Sequence, residues 1–85
     1  MPTRTFEIEY GASAIRDLDN LPQRVRKQVL NKIETLRLGL RGNIKRLHEF
    51  ESTYRLRIGD YRALFDVEGD VIIIRRVGHR KDIYG

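Results

Sequence analysis

Eighty-five residues, 40% hydrophobic and 34% charged, make a single domain over 1–85 that buries about 60–65% of its unfolded surface. This composition is too apolar for a disordered tail and too polar for a membrane span. The lack of cysteine excludes disulfides, thiolate chemistry and a cysteine-based zinc site, and two widely spaced histidines, His48 and His79, argue against any metal centre.

The formal net charge is +5 with a pI near 10.0, a balance that favours nucleic acid or an acidic protein as partner. The excess is uneven: residues 1–21 carry two basic and four acidic side chains, residues 22–53 eight and three, and residues 54–85 seven and five. No run approaches the ~20 apolar residues of a spanning helix, and "MPTRTFEIEY" lacks the apolar core of a signal peptide. A soluble cytoplasmic protein, away from membranes, is therefore expected.

The stretch "TFEIEY" alternates, Phe6, Ile8 and Tyr10 against Glu7 and Glu9, as a half-buried strand does, and Gly11 ends it. Ala14, Ile15, Leu18 and Leu21 then recur at helical spacing, with Ser13 as the expected cap. Pro22 suits the start of a second helix whose apolar positions are Val25, Val29, Ile33, Leu36 and Leu40. Its outer face carries Arg24, Arg26, Lys27, Lys32 and Arg37, and Gly39 and Gly42 mark its end. Residues 43–53 read as a loop or a short edge strand. Three strand-like runs follow, 54–58, 61–67 and 71–77, and "EGD" between the last two marks a turn of two or three residues. The choice matters, because one residue of slippage flips every side chain of the last strand. The order is β-α-α-β-β-β: an α+β fold, a small antiparallel-rich sheet with two N-terminal helices packed on the Tyr54, Leu56, Ile58, Tyr61, Ala63, Phe65 face.

The opposite face is expected to lie open and to carry Arg55, Arg57 and Arg62. If Gly59-Asp60 is a two-residue type II′ turn, Arg57 lies directly across from Arg62. Opposed like charges destabilise a sheet by about 0.2–1 kcal/mol per pair, so the arrangement points to an anion. Past the last strand, "VGHRKDIYG" supplies His79, Arg80, Lys81 and Tyr84. Guanidinium forks bind phosphate bidentately, so Arg80 can join Arg57 and Arg62 around one phosphate. Tyr84 offers a ring for stacking or a hydroxyl, and His79 the side-chain type that titrates near neutrality.

The stretch "YRLRIGDYRALFDVEGDVIIIRRVGHRKDIYG", preceded by "LPQRVRKQVLNKIETL", resembles a RelE toxin of the RelE/ParE superfamily of bacterial and archaeal toxin–antitoxin pairs. The Y-R-L-R strand, the D-Y-R turn exit and the V-G-H-R-K-x-I-Y ending carry the resemblance most specifically. It implies a RelE-like fold and a metal-independent, cofactor-free endoribonuclease, an mRNA interferase that enters the ribosomal A site and cuts the message there, inhibiting translation and arresting growth. In RelE-type enzymes the RNA's own 2′-OH attacks the adjacent phosphate. Carried over by position, Arg55 and Arg57 fall where the family has two strand lysines, Arg62 on the arginine after the hairpin turn, Arg80 on the arginine after the last strand, and Tyr84 on the C-terminal tyrosine. The catalytic set implied is Arg57, Arg62, His79, Arg80 and Tyr84, with Arg55, Arg57 and Lys81 binding RNA. Arginine keeps its proton where lysine sheds it, so Arg55 and Arg57 are poor general bases. That leaves Tyr84, whose reference pKa of about 10 neighbouring arginines would lower, or His79.

The resemblance also implies an acidic, partly disordered RelB-like antitoxin that folds on binding, with operator DNA contacted only through the complex. Two alternatives come from the same superfamily: a ParE-like inhibitor of DNA gyrase, and an inactive DNA-binding corepressor acting with its antitoxin.

Overall fold

The computed structural model describes residues 5–40, 42–47 and 54–83. Eight elements follow one another: β1 (Glu7–Tyr10), α1 (Ala12–Asp19), α2 (Gln23–Glu34), a 3-10 turn (Thr35–Leu38), β2 (Ile44–Arg46), β3 (Tyr54–Ile58), β4 (Tyr61–Glu68) and β5 (Val71–His79). The strands form one five-stranded sheet in the order β1-β5-β4-β3-β2. β1 pairs with β5 in parallel and every other neighbour is antiparallel. The expected order is observed, with one addition: part of the undecided 43–53 segment is a three-residue edge strand, β2.

Alternation builds the core. Leu56, Ile58, Ala63, Phe65, Ile72, Ile74 and Val77 point to the side of the sheet covered by Ala14 and Leu18 of α1 and by Val29, Ile33 and Leu36 beneath α2 and its 3-10 extension. Phe65 is fully buried and stacks on its cross-strand partner Tyr54 with ring centroids 5.4 Å apart. β5 runs between β1 and β4, which explains its dense apolar stretch: Ile72 and Ile74 are fully buried, and Val71 and Ile73 are half-buried on the other face.

The turn after β4 has two residues, because Glu68 pairs with Val71 and Gly69 takes φ 60. A β-bulge then interrupts the ladder: Leu64 lies opposite Arg76 while Phe65 lies opposite Ile74, leaving Arg75 as the extra residue. The bulge lets Ile74 and Val77, three apart, face the same core.

Two helix boundaries differ from the expectation. Gly11, not Ser13, is the N-cap of α1, and Ser13 lies inside the helix, where Arg16 Nη2 donates to its hydroxyl at 3.5 Å. The second helix stops at Glu34 and tightens into the 3-10 turn, so Leu40 lies beyond it, 36% exposed. Thr35 donates its hydroxyl to the Lys32 carbonyl at 2.6 Å, a back-bond that satisfies a carbonyl at this transition. Phe6 N–H donates to the Arg37 carbonyl, fastening the chain before β1 to this turn. At the end of β1, burial pushes the Tyr10 hydroxyl above its usual pKa of 10.0; the charge of Glu34 adds to the rise and Arg37 opposes it. Among the described residues, no helix is long and apolar enough to cross a membrane.

Candidate nucleic-acid interface

The β3–β4 hairpin closes with the two-residue turn Gly59-Asp60: Ile58 pairs with Tyr61 and Arg57 with Arg62. Gly59 has φ 59, and no non-glycine residue among those described has a positive φ, which matches a type II′ turn with glycine first. The opposed arginines expected from the sequence are therefore present.

Their surroundings differ from the open face that was expected. Arg57 is exposed, but Arg62 is only 8% exposed and Leu64, on the same side of β4, 6%. Arg62 Nη1 donates to the carbonyl oxygens of Gly59 and Tyr61, both at 2.8 Å. The guanidinium thus folds back onto its own hairpin, against one turn carbonyl and one strand carbonyl. The charge of Arg62 is thereby fixed next to the turn rather than waving above the sheet.

The end of β5 joins this turn from the other side. Arg80 donates its backbone N–H to the Asp60 carbonyl at 2.8 Å, and its Nε lies 3.8 Å from Asp60 Oδ1. Both side chains are more than half exposed, 55% and 70%, so this ion pair is weak. Arg62 and Arg80 thus both bond to the turn, Arg57 lies directly across from Arg62, and Asp60 is the acidic side chain of the turn. Arg57 is held from its free side as well, its N–H donating to the Asn43 carbonyl at 2.9 Å.

The other candidates are distributed differently. Arg55 sits one pleat farther from the turn, half-buried between its partners Lys45 and Leu64. Lys81 is exposed, and its N–H donates to His79 Nδ1 at 3.2 Å. His79 itself is separated from the arginines. It pairs with Tyr61, its ring meets the Tyr61 ring edge-on at 5.4 Å, and both face the helix side beside Leu21 and Pro22. The bulge decides this: with an unbroken ladder from Glu68–Val71, His79 would share the face of Arg62, and the extra residue Arg75 turns it over. Tyr84 and His48 lie outside the described residues. Among the described residues no cluster of three or more His, Cys, Asp or Glu side chains is placed to hold a metal ion.

One contributor carried no signal in the sequence. Asp17 of α1 accepts from Arg76 Nε at 2.8 Å and from the Val77 N–H at 2.9 Å, tying the helix to the strand just before Gly78, His79 and Arg80. Its helical spacing beside Leu18 says only that it borders the apolar face.

Comparison with known proteins gives a consistent picture. Residues 8–84 match the family model described as ParE toxin of type II toxin-antitoxin system, parDE. The chain is 35% identical over 84 residues to Toxin RelE3 of Methanocaldococcus jannaschii, covering 93% of this chain and 96% of the relative. It is similar to the toxin in the RelB-RelE antitoxin-toxin complex from Methanococcus jannaschii, with 36% identity, a TM-score of 0.72, and coverage of 89% of this chain and 94% of that one. The RelBE2 toxin-antitoxin complex from Mycobacterium tuberculosis matches with a TM-score of 0.81 and 28% identity over 95% of this chain and 98% of that one.

Proposed function

Since the chain belongs to the RelE/ParE family of type II toxin–antitoxin toxins, we propose that it is a ribosome-dependent mRNA endonuclease acting in the cytoplasm and held inactive by an acidic RelB-like antitoxin. The observation that carries this reading is the opposed pair Arg57–Arg62 with Arg80 at the same turn. A sheet that tolerates like charges in direct register gains from an anion at that place.

In the proposed reaction the 2′-OH of one nucleotide attacks the adjoining phosphate. A bond forms between O2′ and phosphorus, the bond from phosphorus to O5′ breaks, and a 2′,3′-cyclic phosphate and a 5′-OH result. Charge grows on the non-bridging oxygens in the transition state. Arg62, already fixed by two carbonyls, and Arg80 neutralise it without reorganising, an effect of several kcal/mol for preorganised donors, on the order of 3. Tyr84 takes the 2′-OH proton, the leaving O5′ takes a proton from water while Arg57 stands near it and offsets its charge, and Arg55 and Lys81 hold flanking phosphates. Because the His79 ring faces the helix side with Tyr61, Tyr84 is the better base of the two. No metal or cofactor takes part.

The antitoxin assignment is supported by relatives solved as RelB-RelE complexes. A second reading, a ParE-like inhibitor of DNA gyrase, is favoured by the description of the matching family model.

Primer extension on a translated mRNA during induced expression tests the proposal. Cuts within codons are expected with wild type and not with Arg57→Ala or Arg62→Ala; Arg57 is exposed, so its variant folds. Intact message with broken DNA accumulating would replace the ribonuclease reading by the gyrase one. Intact message and normal growth would favour an inactive corepressor.

A further inference from the structure

Beside the arginine cluster lies an open groove of about 470 Å³ that the catalytic proposal leaves unused. One wall is a stripe of α2 and its extension, Gln28, Asn31, Lys32 and Thr35. These positions are spaced i, i+3, i+4 and i+7, so they form one continuous flank, while Val29, Ile33 and Leu36 turn into the core. The other wall is Asn43, Arg57, Ile58 and Gly59. Arg57 belongs to both the groove and the turn cluster.

Among the described residues the lining has two cations, three side-chain amides and a hydroxyl, and no carboxylate. Its volume lies within the ~300–1,000 Å³ of small-ligand sites and suits a single nucleotide. Amides present a donor and an acceptor side by side, the pattern that reads a base edge bidentately. The Thr35 hydroxyl spends its proton on the Lys32 carbonyl, which leaves its oxygen as an acceptor. Among the described residues no aromatic ring lines the groove, so those residues recognise base edges and do not offer sequence-tolerant stacking. Gly59 contributes exposed backbone, since nothing lies within 4 Å of where a Cβ would be.

Building on the ribonuclease reading, we infer that this groove is a nucleotide subsite: it takes the nucleotide next to the reacting phosphate of single-stranded RNA. Lys32 and Arg57 hold that nucleotide's phosphates, and Asn31, Asn43 and Gln28 discriminate its base. The strand enters from the turn, where Arg62 and Arg80 hold the reacting phosphate, and passes Arg57 into the groove. Part of the sequence preference of cleavage then resides in the protein's helix flank.

The test is fluorescence anisotropy with labelled 2′-O-methyl hexaribonucleotides of different sequence, which bind and are not cut, together with mapping of cut sites on translating ribosomes. All substituted positions are exposed, so folding is not at issue. Lys32→Ala is expected to weaken binding about fivefold for every sequence, as loss of a phosphate contact does, while Lys27→Ala, a cation of α2 outside the groove, changes it by less than about twofold. Asn31→Ala with Asn43→Ala is expected to level the differences among sequences, as loss of base-edge contacts does. Equal effects of Lys32→Ala and Lys27→Ala, or a wild type that does not bind these oligonucleotides, would overturn the subsite. If binding follows the expectation while wild type cuts no ribosome-bound message, the subsite stands and the ribonuclease proposal falls. If wild type cuts and the double variant keeps both its oligonucleotide preferences and its cut sites, the subsite alone falls.

Discussion

Asp17 Oδ2 accepts the backbone N–H of Val77 at 2.9 Å, sixty residues along the chain. β1 pairs with β5 only as far as Ile74, so beyond that point α1 takes over the edge of the strand and its carboxylate replaces the missing ladder partner. The same oxygen lies 2.8 Å from Arg76 Nε. Hydrogen bonds to a charged group contribute about 1.5–3 kcal/mol, and a domain of this size shifts its Tm by roughly 4–8 °C per kcal/mol. Asp17→Ala is therefore expected to be clearly destabilised in urea and thermal unfolding. Asp17→Asn keeps an acceptor for Val77 and loses less.

Replacing Arg57 by alanine separates stability from function. The change removes the like-charge opposition to Arg62, so the variant is expected to gain up to about 1 kcal/mol and to lose RNA binding and cleavage. Denaturant midpoints should show the gain at low salt and a smaller one at high salt, because screening removes the repulsion in wild type. A destabilised Arg57→Ala would mean that its aliphatic stem contributes more to packing than its charge costs.

Asp60 is an exposed acidic side chain at the turn that Arg62 and Arg80 bond to. At ~8 Å in a water-like dielectric, two unit charges repel by about 0.5 kcal/mol, so Asp60→Asn should tighten oligonucleotide binding about twofold. Its ion pair with Arg80 is long and exposed, so little stability is lost. Anisotropy titrations at several salt concentrations check both the gain and its decay with ionic strength.

Alkaline pH should act through Tyr10. Its pKa is raised in the folded chain, chiefly by burial and then by Glu34. A group whose folded pKa exceeds its unfolded value contributes stability that is complete below the unfolded pKa and lost as pH rises through the folded one. The stability difference between wild type and Tyr10→Phe should thus be constant up to about pH 9, below the ordinary tyrosine value of about 10, and should shift in favour of Phe above it. Urea unfolding of both proteins from neutral pH to the limit of alkaline stability measures this.

Much of the hairpin was legible because two local rules agree there: alternation fixes the faces of 54–58 and 61–67, and a Gly-Asp turn fixes the partner of Arg57. The fate of His79 was not legible, because it depends on a bulge that puts Arg75 out of register, and "IIIRRV" shows no local sign of where an extra residue falls. Nor does composition show that Arg62 would turn under its own hairpin. Its length and its fork of donors permit that as readily as an extended pose, and the carbonyls of Gly59 and Tyr61 decide between them. The groove has no signature in the sequence because its walls come from segments that only tertiary packing brings together.

The parallel pairing of β1 with β5 joins residues 7–10 to residues 71–74. No early local contact can form that ladder, and loop closure must precede it. Hairpins β3–β4 and β4–β5 join neighbouring segments of the chain, whereas β1 has no place in the sheet until β5 has been made. During synthesis the first strand therefore leaves the ribosome without a ladder partner, and its backbone pairing waits for the last third of the chain. The step that seats β1 also brings α1, and with it Asp17, against the strand that presents Arg80.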